Sequence, residues 1–307
     1  MAISDTLFIN SSELGSTAAD WLALLKPRVM SLVVFTGAVG LVVAPVHMNP
    51  ILAVTAILCI AVGAGAAGAI NMWYDRDIDA VMLRTASRAV AAGRIEPDSA
   101  LGFGVVLAVG SVLLMAVATN WVAAAVLAGS IGFYVFIYTM WLKRRTSQNI
   151  VIGGAAGAFP PVIGWAAATG HIAMLPLLLF AIVFFWTPPH FWALSLYASQ
   201  DYKRAGVPML PVVKGARHTR VCVLVYTLVL LPVTLLPYWL GLAGRIYGAS
   251  ALVLGAAFVY YAWAVLADKQ DAKGNSLSDD MPARAAFKYS LLYLFVLFGA
   301  CAIDRLV

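Results

Sequence analysis

Asn71-Met72-Trp73-Tyr74-Asp75-Arg76-Asp77-Ile78-Asp79, followed by Arg84, Arg88 and Arg94, is the stretch whose reading decides the fold. Charged residues make up only 11% of the chain, yet seven of them fall between positions 71 and 94. The stretch follows directly on a strongly apolar run over 51–70. If that run is a helix and continues through the motif, Asn71, Asp75 and Asp79 stand at i, i+4 and i+8. Each step turns by about 40° and rises about 6 Å, so three oxygen-bearing side chains line one face. Asp77 points the opposite way. Two carboxylates and an amide form a hard oxygen site suited to Mg²⁺ held jointly with substrate phosphates. Arg84 and Arg88, one helical turn apart, are suited to grip the same phosphates through bidentate hydrogen bonds. Charges beyond a membrane span also mark its cytoplasmic edge and nothing more, and that plainer reading stays open. The regular spacing tells against it, because carboxylates near lipid need partners and a purpose.

Outward from this stretch, composition sets the class. The 307 residues are 63% hydrophobic with a mean hydropathy of +0.90, well above the roughly half-apolar usage of soluble domains. Nine apolar runs approach the roughly 20 residues needed to cross a bilayer, at 29–47, 51–72, 99–118, 121–141, 150–168, 174–195, 221–240, 246–267 and 286–304. The expectation is an all-α integral membrane protein. The first 20 residues are polar and Ser-rich with no basic start before an apolar run, so they read as a flexible cytoplasmic tail. Cys59, Cys222 and Cys301 are isolated within apolar runs and share no metal-ligand spacing, which makes them small buried hydrophobes.

Sidedness follows from the basic residues. Of the 20, all but Arg245 and Arg305 fall on one side of the nine-span arrangement. The positive-inside rule makes that side, the N-terminus and the long loops cytoplasmic. The net charge of +6 is explained by this topology and does not call for a nucleic-acid partner. The two longest cytoplasmic loops follow the second and sixth spans. Four spans lie between them, which suggests two four-helix units plus a final helix, each presenting an acidic loop to one cavity. If the loops converge, Asp201 of the second meets the first acidic face, with Lys203 or Arg204 nearby. A surface ion pair of Asp201 with its basic neighbours is the alternative.

Three further stretches carry candidate chemistry. Lys143-Arg144-Arg145 after the fourth span is either a positive-inside anchor or, through Lys143 or Arg144, a neutraliser of diphosphate. Gly153, Gly154 and Gly157 in the next span let another helix approach closely. Pro160-Pro161 and Pro188-Pro189 are expected to break their helices at membrane depth, which is tolerated beside protein or a cavity. His190, in Phe184-Phe185-Trp186-Thr187-Pro188-Pro189-His190-Phe191-Trp192, lies within a span beside that expected break. It reads as a proton carrier, a ligand to a substrate metal, or a structural histidine.

Asn71 to Asp79 resembles the first aspartate motif of the UbiA-type intramembrane prenyltransferases. The wider text resembles that family's protohaem IX farnesyltransferase branch, in Asp79-Ala-Val-Met-Leu-Arg84-Thr-Ala-Ser-Arg88, Tyr138-Thr-Met-Trp-Leu-Lys143-Arg144-Arg145-Thr, Gln148 to Pro161, Trp186-Thr-Pro-Pro-His190-Phe-Trp and Asp201 to Val213. The resemblance runs from about residue 20 to 300. It implies one transmembrane domain over 21–307, a helical horseshoe around a central cavity, and cytoplasmic cap loops holding Mg²⁺ and farnesyl diphosphate. It further implies transfer of the farnesyl group to a vinyl substituent of haem B, in the inner membrane of the cell. The product, haem O, would pass to a haem A synthase or a terminal oxidase. Two departures stand out. Ser87-Arg88-Ala89 replaces the usual Asn-Arg-Pro, and Tyr197 occupies the first position of the second acidic motif, so one well-formed Mg²⁺ site is expected.

On this reading Asn71, Asp75 and Asp79 bind Mg²⁺, while Arg84, Arg88, Lys143, Arg144 and Lys203 neutralise the diphosphate. Tyr134, Tyr138, Phe185 and Trp186 stabilise the allylic cation and stack on the porphyrin. His190 or Asp201 serves as the base that takes the last proton, or His190 ligates the haem iron. A quinone precursor or chlorophyllide as acceptor is one rival. A transporter is another, although it would carry its acidic residues near mid-membrane.

Overall fold

The computed structural model describes residues 15–271 and 276–307. Its helices are α1 (Ala18–Leu24), α2 (Pro27–Val42), α3 (Pro50–Tyr74), α4 (Arg76–Val81), α5 (Pro97–Ala118) and α6 (Trp121–Gly132). A π-helix over Phe133–Leu142 continues α6. There follow α7 (Asn149–Ala158), α8 (Pro160–Thr169), α9 (Met174–Tyr197), α10 (Ser199–Arg204), α11 (Leu210–Lys214), α12 (Ala216–Trp239), α13 (Arg245–Ala267) and α14 (Met281–Leu306). Among the described residues the sole β feature is an isolated bridge, Gln270 to Ser276. The all-helical expectation holds. Among the described residues eight helices, counting α6 with the π-helix and α7 with α8, are long and apolar enough to cross a membrane, and the bent pair α1–α2 makes up to nine.

The chain's ends and breaks depart from expectation in three places. Residues 1–14 of the expected tail lie outside the described residues, but the tail does not run to residue 20, because α1 begins at Ala18. A capping box starts it: the Asp20 amide donates to Thr17 Oγ1 at 3.2 Å and the Thr17 amide donates back to Asp20 Oδ2 at 3.2 Å. The first span ends at Val42, short of residue 47. Ala44 precedes Pro45, and the residue before a proline is pushed out of helical geometry. Pro160 does interrupt its span, but Pro188 and Pro189 sit inside an unbroken α9. There the Thr187 hydroxyl binds the Val183 carbonyl at 2.8 Å, and packing on α7, α12 and α14 supports the helix from several sides.

The helices form a basket. α3 packs on α5, α9 on α7 and α12, α12 on α13, α13 on α14, and α14 closes the ring against α2. The α7–α8 span is the most enclosed, with α8 lodged between α2, α6 and α9. Two glycines make that lodging possible. A Cβ on Gly40 would stand 2.1 Å from the Pro161 carbonyl oxygen, and one on Gly164 would stand 2.0 Å from that of Gly37, so α2 and α8 touch backbone to backbone. Large apolar side chains such as Val106, Leu114, Val117, Leu228, Val253 and Phe295 face outward. In water such a surface would aggregate, and in a bilayer it is the lipid face, so the chain is a multi-pass membrane protein. Cys59 and Cys301 are buried and Cys222 half-buried, all free.

At the α12–α14 end, Arg220 is buried and binds both Asp268 at 3.1 Å and Asp280 at 2.9 Å. This triad ties α12 to the residues that end α13 and begin α14.

Candidate active site at the acidic end of the basket

The backbone of α3 does not end cleanly at the motif. Asp75 caps α3 with φ −90°, ψ 8° and the chain restarts as α4. The i to i+4 hydrogen bonds persist across the kink, from the Asp75 amide to the Asn71 carbonyl at 2.9 Å and from Asp79 to Asp75 at 2.8 Å. The common face predicted for Asn71, Asp75 and Asp79 therefore survives. All three face inward, with 4%, 0% and 2% of their surface exposed. The Asp77 side chain is 60% exposed and faces away, as the helical phase requires.

Each inward oxygen group has its own cation. Lys26 Nζ donates to Asn71 Oδ1 at 3.0 Å. Lys143 Nζ forms a short ion pair with Asp75, and Arg144 approaches the same carboxylate at 3.5 Å. Arg88 Nη1 binds Asp79 at 2.6 Å. The Asn71 amide nitrogen donates to Asp75 Oδ2 at 2.6 Å and to Thr139 Oγ1 at 3.2 Å, which fixes its oxygen toward Lys26. Buried carboxylates are tolerated only when paired and hydrogen-bonded, and here every one is.

The π-helix delivers the far wall. Its wider turn is marked by the Lys143 amide donating to the Tyr138 carbonyl, five residues back, at 2.9 Å. That register carries Thr139 to Asn71 and Lys143 to Asp75. It also lays Tyr138 against α7, where a Cβ on Gly153 would fall 2.1 Å from the ring. Tyr134 lies beside Tyr138, ring centroids 5.3 Å apart. Tyr134 also lines an apolar cavity shared with Met30, Val33, Ile60, Leu127 and Ile131.

The two long loops converge, as expected if both serve one cavity. The Asp201 carboxylate accepts from the amides of Leu83 at 3.4 Å and Arg84 at 3.3 Å, and pairs with Arg204 at 3.3 Å. Arg84 reaches the Tyr202 hydroxyl at 3.5 Å. Asp201 meets the chain just beyond the acidic face rather than the face itself. Its three donors hold it as a clamp, which leaves it poorly placed for the base role expected of it. Arg144 is engaged with Asp77 through two hydrogen bonds of 2.6 and 2.7 Å. That grip holds the Asp77 carboxyl below the usual carboxylate range. Lys203 is exposed, with no ion pair among the described residues. Tyr197, four residues before Asp201, lies under Arg284 at 4.6 Å.

His190 and Trp186 belong to a separate locus where α9 meets α14. His190 Nδ1 lies 2.6 Å from Ser290 Oγ, and Trp186 Nε1 donates to the Ser290 carbonyl at 2.8 Å. Phe185 packs half-buried against the main core. No hydrogen bond or ring contact among the described residues joins this locus to the acidic cluster.

Lys26, Thr139 and Ser290 escape a reading of the sequence. Lys26 counts there only as a topology signal. Its place before Pro27, with a left-handed φ of 51°, is a conformation that costs a non-glycine residue and recurs at functional sites. Nothing in the sequence marks the π-helix that brings Thr139 in.

The donor set can be tested against Mg²⁺ on chemical grounds. Asn71, Asp75 and Asp79 offer hard oxygens, and among the described residues no three His, Cys, Asp or Glu side chains form a ready cage. An ion that retains water and borrows phosphate oxygens suits such a partial set. The residues fit.

Comparison with known proteins agrees with this geometry. The chain is 70% identical over 306 residues to a protein of Acidiphilium cryptum named "Protoheme IX farnesyltransferase", covering 100% of this chain and 96% of that one. A protein of Granulibacter bethesdensis with the same name is 64% identical, covering 99% and 100%. Among solved structures, a digeranylgeranylglyceryl phosphate synthase superposes with a TM-score of 0.75 at 17% identity, over 94% of this chain and 98% of that one. A UbiA homologue from Archaeoglobus fulgidus, bound to GPP and Mg²⁺, gives 0.65 at 19% identity, over 91% and 99%. The model of the UbiA prenyltransferase family matches residues 33–300, a range that includes the inward acidic face at the end of α3, and the chain belongs to that family.

Proposed function

We propose that the chain joins the farnesyl group of farnesyl diphosphate to a vinyl group of haem B, with addition of water, giving haem O and diphosphate. The observation that carries the chemistry is the buried Asn71–Asp75–Asp79 face, each member held by its own cation beside an apolar cavity. The acceptor rests on the 70% identity, over the whole chain, to a protein named for that reaction.

Ionisation of an allylic diphosphate breaks the C1–O bond and leaves a delocalised cation. The protein must therefore neutralise the leaving group, keep the cation dry and aim the acceptor at it. Mg²⁺, when bound, supplies Lewis-acid neutralisation of the diphosphate, and Asn71, Asp75 and Asp79 are the residues that would hold it. Arg88 and Lys143, which balance Asp79 and Asp75 in the free protein, then turn their charge to the phosphate oxygens, with Lys26 beside Asn71 and Arg84 at the rim. Arg144 reaches the diphosphate only by loosening Asp77. Asp201 keeps the two loops together over the site. The cavity behind Tyr134 takes the apolar chain, and Tyr134 and Tyr138 face the cation with their rings. The vinyl terminus forms the new C–C bond, the resulting cation beside the macrocycle captures water, and one proton leaves to solvent or to a base.

The same reading makes 21–307 a single catalytic domain in the cell inner membrane, with the acidic end cytoplasmic, and makes a haem A synthase or a terminal oxidase the recipient of the product. The test is incubation of the purified protein with haem B, farnesyl diphosphate and Mg²⁺, followed by mass analysis of the pigment. A gain of one farnesyl group plus one hydroxyl group is expected, and Asp75→Ala should abolish it while leaving membrane insertion intact. Unchanged haem B alongside prenylation of a quinone precursor would transfer the acceptor assignment.

A further inference from the structure

The surroundings of His190 discriminate among the roles open to it. Its ring lies between Trp186, stacked at 4.3 Å and 17°, and Phe287, stacked at 4.6 Å and 23°, so both faces are covered. Its edge is fixed as well. Ser290 Oγ has one hydrogen and lies 2.6 Å from both the Phe287 carbonyl oxygen and His190 Nδ1, so both contacts are hydrogen bonds only when Oγ donates to the carbonyl and accepts from Nδ1. In that arrangement Nδ1 carries the proton and Nε2 keeps its lone pair, and Nε2 has no hydrogen-bond partner among the described residues. Ser290 is itself fully buried, and the Trp186 indole pins its carbonyl.

This shell decides between proton transfer and metal ligation. An imidazolium needs a counter-charge when removed from water. His190 meets Trp186, Phe191, Phe287 and Ser290, and it has no ion pair among the described residues. Such surroundings favour a ring that stays neutral, which makes a poor proton carrier and a good Lewis base. A histidine that binds a metal through one nitrogen characteristically donates the other N–H to a fixed acceptor, which sets its tautomer and aim. That is the arrangement here.

We propose that His190 binds the iron of the porphyrin acceptor through Nε2, and that Ser290 is the positioning residue that holds it in the ligating tautomer. This rests on the haem reading of the site. It adds that the substrate is recognised as a metalloporphyrin, with the acceptor anchored on α9 and α14 and the diphosphate on α3 and the π-helix.

The experiment is equilibrium binding of ferric haem B to the full-length protein in lipid nanodiscs, without farnesyl diphosphate, followed by absorption and electron paramagnetic resonance. The wild type should show nitrogen ligation and should bind iron-free protoporphyrin IX at least about 10-fold more weakly. His190→Ala should lose the nitrogen signature, and added imidazole should restore it, which also shows that the variant is folded. Ser290→Ala should weaken haem binding about 10-fold with an altered ligand field, whereas Ser290→Thr keeps both. An unaltered haem spectrum and affinity in His190→Ala overturns the proposal, as does equal binding of protoporphyrin IX and haem B by the wild type. Neither readout needs turnover, so failure of the farnesyl-transfer assignment would appear separately in the pigment assay.

Discussion

Lys26 Nζ donates to Asn71 Oδ1 at 3.0 Å, across 45 positions of sequence. The bond places a lysine from the α1–α2 bend within the acidic face of α3, and Lys26 holds a left-handed backbone to reach it.

Lys26→Gly separates those two facts. Glycine adopts the left-handed conformation freely, so the backbone should gain about 1 kcal/mol, while the amine is lost. The Michaelis constant for farnesyl diphosphate should rise by roughly 10- to 100-fold, the equivalent of one hydrogen bond to a charged group. Steady-state kinetics and a thermal melt on the same sample check both halves.

Asp75 and Lys143 should behave as one unit. Asp75→Asn leaves the Lys143 ammonium without its partner, and Lys143→Met leaves buried Asp75 only the longer approach of Arg144 at 3.5 Å and the neutral Asn71 amide. Each single change should cost about 3–5 kcal/mol of stability, and the double variant should cost clearly less than their sum. Denaturation of the four proteins measures the coupling, and additive costs would refute it.

Gly153→Ala should be disproportionately harmful for one methyl group. Its Cβ would lie 2.1 Å from the Tyr138 ring, so the ring or the π-helix must move, at about 1–3 kcal/mol. Turnover should fall with the melting temperature. Combining it with Tyr138→Leu should restore stability without restoring turnover, which a paired activity and melting assay resolves.

Asp201→Asn should act on the loops rather than on the chemistry. Loss of the negative charge weakens the hold on the Leu83 and Arg84 amides and on Arg204. Faster hydrogen exchange at residues 83 and 84 is expected, with roughly a 10-fold loss in kcat/KM, about 1.4 kcal/mol. A loss of several thousand-fold with unchanged exchange would return Asp201 to a direct role in proton transfer.

Arg220→Met should impair assembly without removing a partner of the acidic face. It leaves Asp268 and Asp280 without their buried guanidinium, at about 3–5 kcal/mol. Reduced yield and a lower melting temperature are expected, with the affinity for farnesyl diphosphate preserved in the folded fraction.

Local rules were enough for the membrane class, the helical count and the inward acidic face. Span length follows from bilayer thickness, and the shared face of Asn71, Asp75 and Asp79 follows from the pitch of a single helix. Both are properties of contiguous residues. The same rules misjudged Pro188 and Pro189, because helix support from α7, α12 and α14 is invisible in the run itself. They also gave Arg144 to the diphosphate, where Asp77 now holds it, since the partner of a surface arginine depends on which loops meet.

What the sequence determined alone is an all-helical membrane chain with a metal-suited face at the end of its second long apolar run. Tertiary structure decided which cations stand at that face, through a left-handed Lys26 and a π-helical register around Tyr138 and Thr139. It also decided that the His190 ring is clamped by Trp186, Phe287 and Ser290. The physical reason is that charge pairing and tautomer choice depend on atoms brought within about 3 Å by packing, and residues 45 or 100 positions apart carry no local signal of such a meeting.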